Sequence, residues 1–135
     1  MKIINRIKNS IEFQQIVKTT KFVKTSEFII HYQKNNLGYP RIGLSTPKHL
    51  GCAVVRNKIR RQLRAMLQQF AQTKISIDLI IVVRKNYKID EFESNLDRLS
   101  STILKIRSLI NEQKNYDFKI IAFSFILLLQ QVLVE

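Results

Sequence analysis

Residues 54–70 read VVRNKIRRQLRAMLQQF. Ile59, Leu63, Met66, Leu67 and Phe70 recur along one stripe of an α-helix. Between Arg56 and Arg64 the same stretch packs five cations into nine residues and contains no acid. At about 100° per residue, most of these cations fall outside the stripe. Asn57, Arg60, Arg61 and Arg64 share a neighbouring face, Lys58 lies beyond it, and Arg56 sits at its border. The spacing predicts a helix that buries one side and offers dense positive charge on the other. Ordinary solvated helices mix the two signs, so this face asks for an anionic partner.

Working outward, the flanks read as alternating strands and helices. Asn9-Ser10-Ile11-Glu12 fits a capping box and opens a helix over about Ser10–Thr19, with Ile11, Phe13, Ile16 and Val17 as its apolar residues. Two β-like runs follow, at Phe22–Lys24 and Glu27–Gln33, the second rich in aromatic and β-branched residues. Asn35, Asn36, Gly38 and Pro40 mark a loop. Arg41–Thr46 reads as a third strand stopped by Pro47. Beyond the basic helix, Ser76–Arg84 is a continuous apolar strand, as expected of a central one with both faces covered. Asp90-Glu91-Phe92-Glu93 suggests a second capping box. Phe92, Leu96, Leu99, Ile103, Ile106 and Ile110 then define a long amphipathic helix to about Asn111. The expectation is an α+β fold in the order α-β-β-β-α-β-α: one mixed sheet of about four strands packed with about three helices. A domain over residues 1–115 would carry an apolar extension over 116–135. In that extension Ile120–Leu129 is apolar except for Ser124, too short a run to span a bilayer before Gln130 and Gln131. It reads as a helix or strand docking on the domain or a partner, with no stable membrane insertion expected.

The 135 residues suit one domain with a modest core, and 45% apolar content excludes a disordered chain. The net charge of +13 is sorted by position. Residues 1–77 hold fifteen Lys and Arg against Glu12 and Glu27, and so carry all of the excess; residues 78–135 hold eight of each sign. No acid occurs from Phe28 to Ile77. Such a field attracts a polyanion. The single Cys52 excludes an internal disulfide and a cysteine-based zinc site. The N-terminus lacks an apolar core with a small-residue cleavage site, which suits a cytoplasmic protein.

Catalytic machinery is sparse. A protein nuclease needs a carboxylate cluster for metal or an acid/base pair, and the basic half holds only two carboxylates. His31 sits mid-strand in an apolar run, as a partly buried structural histidine does. His49 stands in a loop beside Lys48. With only Gly38, Gly43 and Gly51, no glycine-rich phosphate loop exists. No catalytic residue is assigned. Arginine forks instead suit phosphate, and several on one helix face would follow an RNA backbone.

Three stretches carry a family resemblance: Arg41-Ile42-Gly43-Leu44-Ser45; Asn9 with Glu12 and Phe13; and Arg56-Asn57-Lys58-Ile59-Arg60-Arg61-Gln62-Leu63-Arg64. Together they resemble the protein subunit of bacterial ribonuclease P, whose core motif reads R-N-x-x-K-R-x-x-R. The resemblance spans roughly Arg6 to Asn111. It implies a left-handed β-α-β crossover through the basic helix, an exception to the usual hand. It implies an endoribonuclease subunit that partners a catalytic RNA and assists removal of the 5′ leader from precursor tRNA. Mg²⁺ would be held mainly by that RNA. By the same resemblance Arg56, Asn57, Lys58, Arg60, Arg61 and Arg64 face ribonuclease P RNA, while Phe13, Val17, His31, Ser45 and Lys48 belong to a leader-binding cleft. The chain departs from the family at Ser45-Thr46-Pro47-Lys48-His49, where S-x-S-K-K is usual, at Cys52 in place of Asn, and at His31 in place of a common Tyr. A structural RNA-binding protein without a role in cleavage is the rival reading.

Overall fold

The computed structural model describes residues 1–19 and 21–134; the side chains of residues 19, 112–118, 125, 128, 129 and 131–134 lie outside the description. The elements are α1 (Ser10–Thr19), β1 (Lys21–Lys24), β2 (Phe28–Lys34), β3 (Arg41–Ser45), α2 (Ala53–Ala71), β4 (Ile77–Val83) and α3 (Phe92–Val134). Short 3-10 turns occupy Ile3–Asn5 and Lys48–Leu50, where the sequence signals no regular structure. The strands form one mixed sheet in the order β1-β2-β4-β3. β4 is central, antiparallel to β2 and parallel to β3. The parallel neighbours β3 and β4 are joined through α2, the long crossover that parallel pairing requires.

β4 explains the sheet's two-sidedness. Ile77, Leu79, Ile81 and Val83 point to one face, where Phe28 and Ile30 of β2 and Ile42 of β3 join them, all at most 2% exposed. The α2 stripe of Ile59, Leu63 and Leu67 is buried as well, as is Leu99 on the first turns of α3. The opposite face carries Asp78, Ile80 and Val82. There Ile16 of α1 packs with Ile7 and Ile80, and Phe13, Val17 and Val82 surround them half-buried.

Asn9 caps α1 as its sequence suggests: its Oδ1 accepts the N–H groups of Ile11 and Glu12 at 2.9 and 3.3 Å. The Glu12 carboxylate pairs with Arg41 at 2.7 Å. The second capping box is displaced. α3 begins at Phe92, with the carbonyl of Glu91, not Asp90, accepting its first turn from Asn95 N–H at 2.9 Å. α3 also runs on without a break at residue 111 or 116, because no Gly or Pro interrupts Phe92–Val134. The chain divides into two compact units, Met1–Thr102 and Ile103–Glu135. In the second unit Ile120, Ile121, Phe123 and Ile126 are exposed. Among the described residues no helix is long and apolar enough to cross a membrane.

The one acid inside the sheet is Asp78, 1% exposed. Arg41 grips it with two hydrogen bonds, Nε to Oδ1 at 3.0 Å and Nη2 to Oδ2 at 2.8 Å. Asn35 donates to Oδ1 at 2.8 Å and Gln33 to Oδ2 at 3.0 Å. Burial alone would raise the Asp78 carboxyl; the hydrogen bonds from Arg41, Asn35 and Gln33 outweigh it and hold the group below its ordinary value. Removing one partner of a buried pair strands the other charge. We expect Arg41→Ala to cost about 3 kcal/mol in urea unfolding. Because the folded value is depressed, the stabilisation is complete above the ordinary carboxylate value of about 3.9. It is lost as pH falls through the folded value, and Asp78→Asn should flatten that acid limb of the stability curve.

Candidate nucleic-acid interface

α2 begins at Ala53, after Cys52 in the N-cap position with an extended backbone. The Cys52 sulfur makes no formed cap hydrogen bond, yet the free first-turn amides of Val55 and Val54 hold the exposed thiol below its ordinary value. Four turns of apolar stripe then fix which residues face outward. Asn57, Lys58 and Arg61 are exposed; Arg56, Arg60 and Arg64 are half-buried along the margin of the core. The Arg60 guanidinium donates to Asn57 Oδ1 and to Thr46 Oγ1, so it is held in place before any ligand arrives. Arg56 Nε and Arg64 Nε are buried and lack a hydrogen-bond partner.

Three carboxylates of the domain are paired with arginines outside α2. Glu12 and Asp78 are held by Arg41, and Glu27 by Arg98 at 3.4 Å. Among the described residues no cation of α2 has an acidic partner within salt-bridge distance. The middle of α2 is locked to the loop after β4. Buried Tyr87 donates its hydroxyl to Gln62 Oε1 at 2.7 Å, and Gln62 Nε2 donates to the Ile89 carbonyl at 3.1 Å. Burial pushes the Tyr87 phenol up to about 12, so it stays a donor at any working pH.

The second candidate surface lies on the opposite sheet face. Register places His31 opposite Ile80 and Ser45 opposite Val82, so both share the face that α1 covers with Phe13 and Val17. These four residues therefore share one face of the sheet. Lys48 stands apart, exposed in the 3-10 turn after β3. Gly43 lets the Phe13 ring lie against β3, since a Cβ there would come within 2.8 Å of the ring. α1 packs on β2 and β4 of this face. Phe22, 57% exposed, meets the His31 ring with centroids 5.5 Å apart. Burial lowers the His31 pKa, and its Nδ1 has no partner. Phe22 joins this candidate surface without a signal in the sequence pattern, because only strand register shows that it stands opposite His31.

An unneutralised cationic helix on one side of a small mixed sheet, with a half-open apolar and aromatic face on the other, defines a polyanion-binding α+β domain. The family model for ribonuclease P matches residues 1–107, and the chain belongs to that family. The ribonuclease P protein component of Mesoplasma florum is 41% identical over 103 residues, covering 73% of this chain and 92% of that protein. The component of Staphylococcus epidermidis is 35% identical over 112 residues, covering 80% and 94%. The solved ribonuclease P protein of Staphylococcus aureus superposes with a TM-score of 0.64 at 28% identity, covering 73% of this chain and 94% of that one. That of Thermotoga maritima, at 24% identity and a TM-score of 0.60, shares the fold. The chain is thus a protein component of an endoribonuclease.

Arg61 is exposed and bonded to nothing in the core, whereas Arg60 is tied to buried Thr46. Arg61→Glu should therefore leave folding stability within about 0.5 kcal/mol of wild type. RNA affinity of the wild type should fall by orders of magnitude between ~50 and ~200 mM salt. Arg61→Glu should weaken binding across all RNA sequences, as read by filter binding over a salt series.

Proposed function

We propose that α2 docks on ribonuclease P RNA while the α1-side face holds the 5′ leader of precursor tRNA, and that cleavage to the mature 5′ end is carried out by the RNA. The observation that carries this reading is the cationic face of α2, which among the described residues keeps no carboxylate partner, while Glu12, Glu27 and Asp78 pair with arginines of other elements. Arg56, Asn57, Lys58, Arg60, Arg61 and Arg64 would meet backbone phosphates. These contacts position the protein without reading sequence. Phe13, Val17, His31 and Ser45, extended by Phe22, would line the path of a single strand. An aromatic ring accepts any base on its face, which suits leaders of varied sequence.

The same charge accounting bears on Mg²⁺. The carboxylates of the basic half are already bound by arginines, and among the described residues no three metal-ligating side chains gather. Among the described residues the donor set does not fit a resident Mg²⁺ site, and the ion would be held mainly by the RNA. A cytoplasmic setting follows from this role.

Reconstitution with a ribonuclease P RNA tests the reading: the protein should stimulate precursor-tRNA cleavage at low Mg²⁺. Binding without stimulation would leave a structural RNA-binding role, and cleavage by protein alone would overturn the assignment of catalysis to RNA. Phe13→Ala should spare assembly with the RNA yet weaken binding of leader-bearing tRNA by roughly 1–3 kcal/mol, with mature tRNA unaffected. A large loss of thermal stability with no leader-dependent defect would make Phe13 a core residue only. The apolar extension lies outside the matched region. Deleting residues 118–135 should leave stimulation intact, and loss of RNA binding by a still-folded protein would show that the extension contributes.

A further inference from the structure

The N-terminal segment runs along the outer edge of β3. Arg6 bridges to Ile42 in parallel register, and Ile7 N–H donates to the Ile42 carbonyl at 3.0 Å. Buried Asn5 fastens the segment further: its Nδ2 donates to the carbonyls of Pro40 at 2.7 Å and Ala71 at 3.2 Å. The second of these lies at the C-terminal end of α2, where carbonyls lack helical partners. This anchoring carries Arg6 to the side of α2. With Arg60 and Arg64 it lines a cavity of about 160 Å³, whose walls include Ile7, Lys8 and Leu44.

Three guanidinium groups thus converge without a counter-ion. Among the described residues none of the three is within salt-bridge distance of a carboxylate. Nε of Arg6 and Nε of Arg64 are buried and unpartnered. Burial, then Arg6 and Arg60, hold the Arg64 guanidinium below its ordinary value. Folding has gathered like charges at a free-energy cost, and an anion seated among them would relieve it. The forks suit phosphate oxygens. The remaining walls, Met1, Ile7, Lys8, Ile42 and Leu44, bring no carboxylate, and the Met1 carbonyl already accepts from Arg6 Nη2 at 3.4 Å. A single backbone phosphate is the group this chemistry would recognise.

We infer that Arg6, Arg60 and Arg64 clamp one phosphate of the RNA backbone, so that the RNA lying on α2 also grips the N-terminal segment. This rests on the reading of α2 as the RNA-facing helix, and it extends that surface to a residue outside the helix.

The test measures binding of the full chain to ribonuclease P RNA over a salt series, beside precursor-tRNA cleavage and thermal melting. Arg6→Met should lower affinity about ten-fold at ~0.1 M salt and reduce the slope of log affinity against log salt by about one. Removing one of three repelling charges should leave the melting temperature unchanged or raised, which a purely structural arginine would not do. Arg6→Lys should keep the salt slope but recover only part of the affinity, having lost the fork. Lys105→Gln, on α3, should match wild type. Wild-type affinity and slope in Arg6→Met would overturn the clamp. If Arg6→Met does not fold, Arg64→Met decides, and wild-type binding there overturns it equally. Wild-type protein that stimulates cleavage while Arg6→Met is indistinguishable from it sinks the clamp alone. Wild-type protein that shows the Arg6 effect but never stimulates cleavage sinks the functional reading and leaves the clamp.

Discussion

The contact between Arg41 and Asp78 holds the architecture together. Asp78 is buried at the middle of the sheet, on the strand that pairs with both β2 and β3. A carboxylate there would be prohibitive without compensation. Arg41 reaches it from β3, Gln33 from β2 and Asn35 from the loop between them. Arg41 also binds Glu12 on α1. One buried charge therefore fixes the register of three strands and ties the first helix to the sheet. Pairs of this kind give little net stability over an apolar replacement. Here three partners from different elements make four hydrogen bonds to the one carboxylate, so other registers would leave it unmatched.

The same arrangement shapes the electrostatics. Arg41 engages both Glu12 and Asp78, so neither pairs with a cation of α2. Arg98 does the same with Glu27. The cations of α2 then face solvent undiluted, and the low-dielectric core beneath them limits screening from that side. Half-burial of Arg56, Arg60 and Arg64 restricts their side chains before binding, which lowers the ordering cost of meeting a phosphate. On the opposite sheet face a short α1 covers only part of the apolar surface. The result is two chemically different surfaces on one small sheet, one electrostatic and one aromatic.

Particular residues show where sequence patterning succeeds. The offsets of Ile59, Leu63 and Leu67 gave both the helix and its buried side, because a 3.6-residue period allows only one apolar stripe. The unbroken apolar run of β4 gave its central place. Asn9 gave the start of α1 through a local side-chain bond. The start of α3 lies one residue beyond the capping-box expectation, since Asp90 and Glu91 are both acceptable before a helix and only backbone geometry chooses between them. The helix continues past Asn111, where its apolar series ends, because no Gly or Pro stops it.

The sequence by itself determined the α+β class, the identity of the buried faces, the sorting of charge into one half and the family motif. All of these are carried by local period or by composition. Only the tertiary structure decided which distant residues meet. Phe22 stands against His31 through antiparallel register, Arg41 against Asp78 across the parallel pair, and Arg6 beside Arg60 and Arg64 through a single bridge at the edge of β3. Periodicity fixes the direction of a side chain relative to its own element, whereas its neighbour depends on strand order and register, which the whole core selects together.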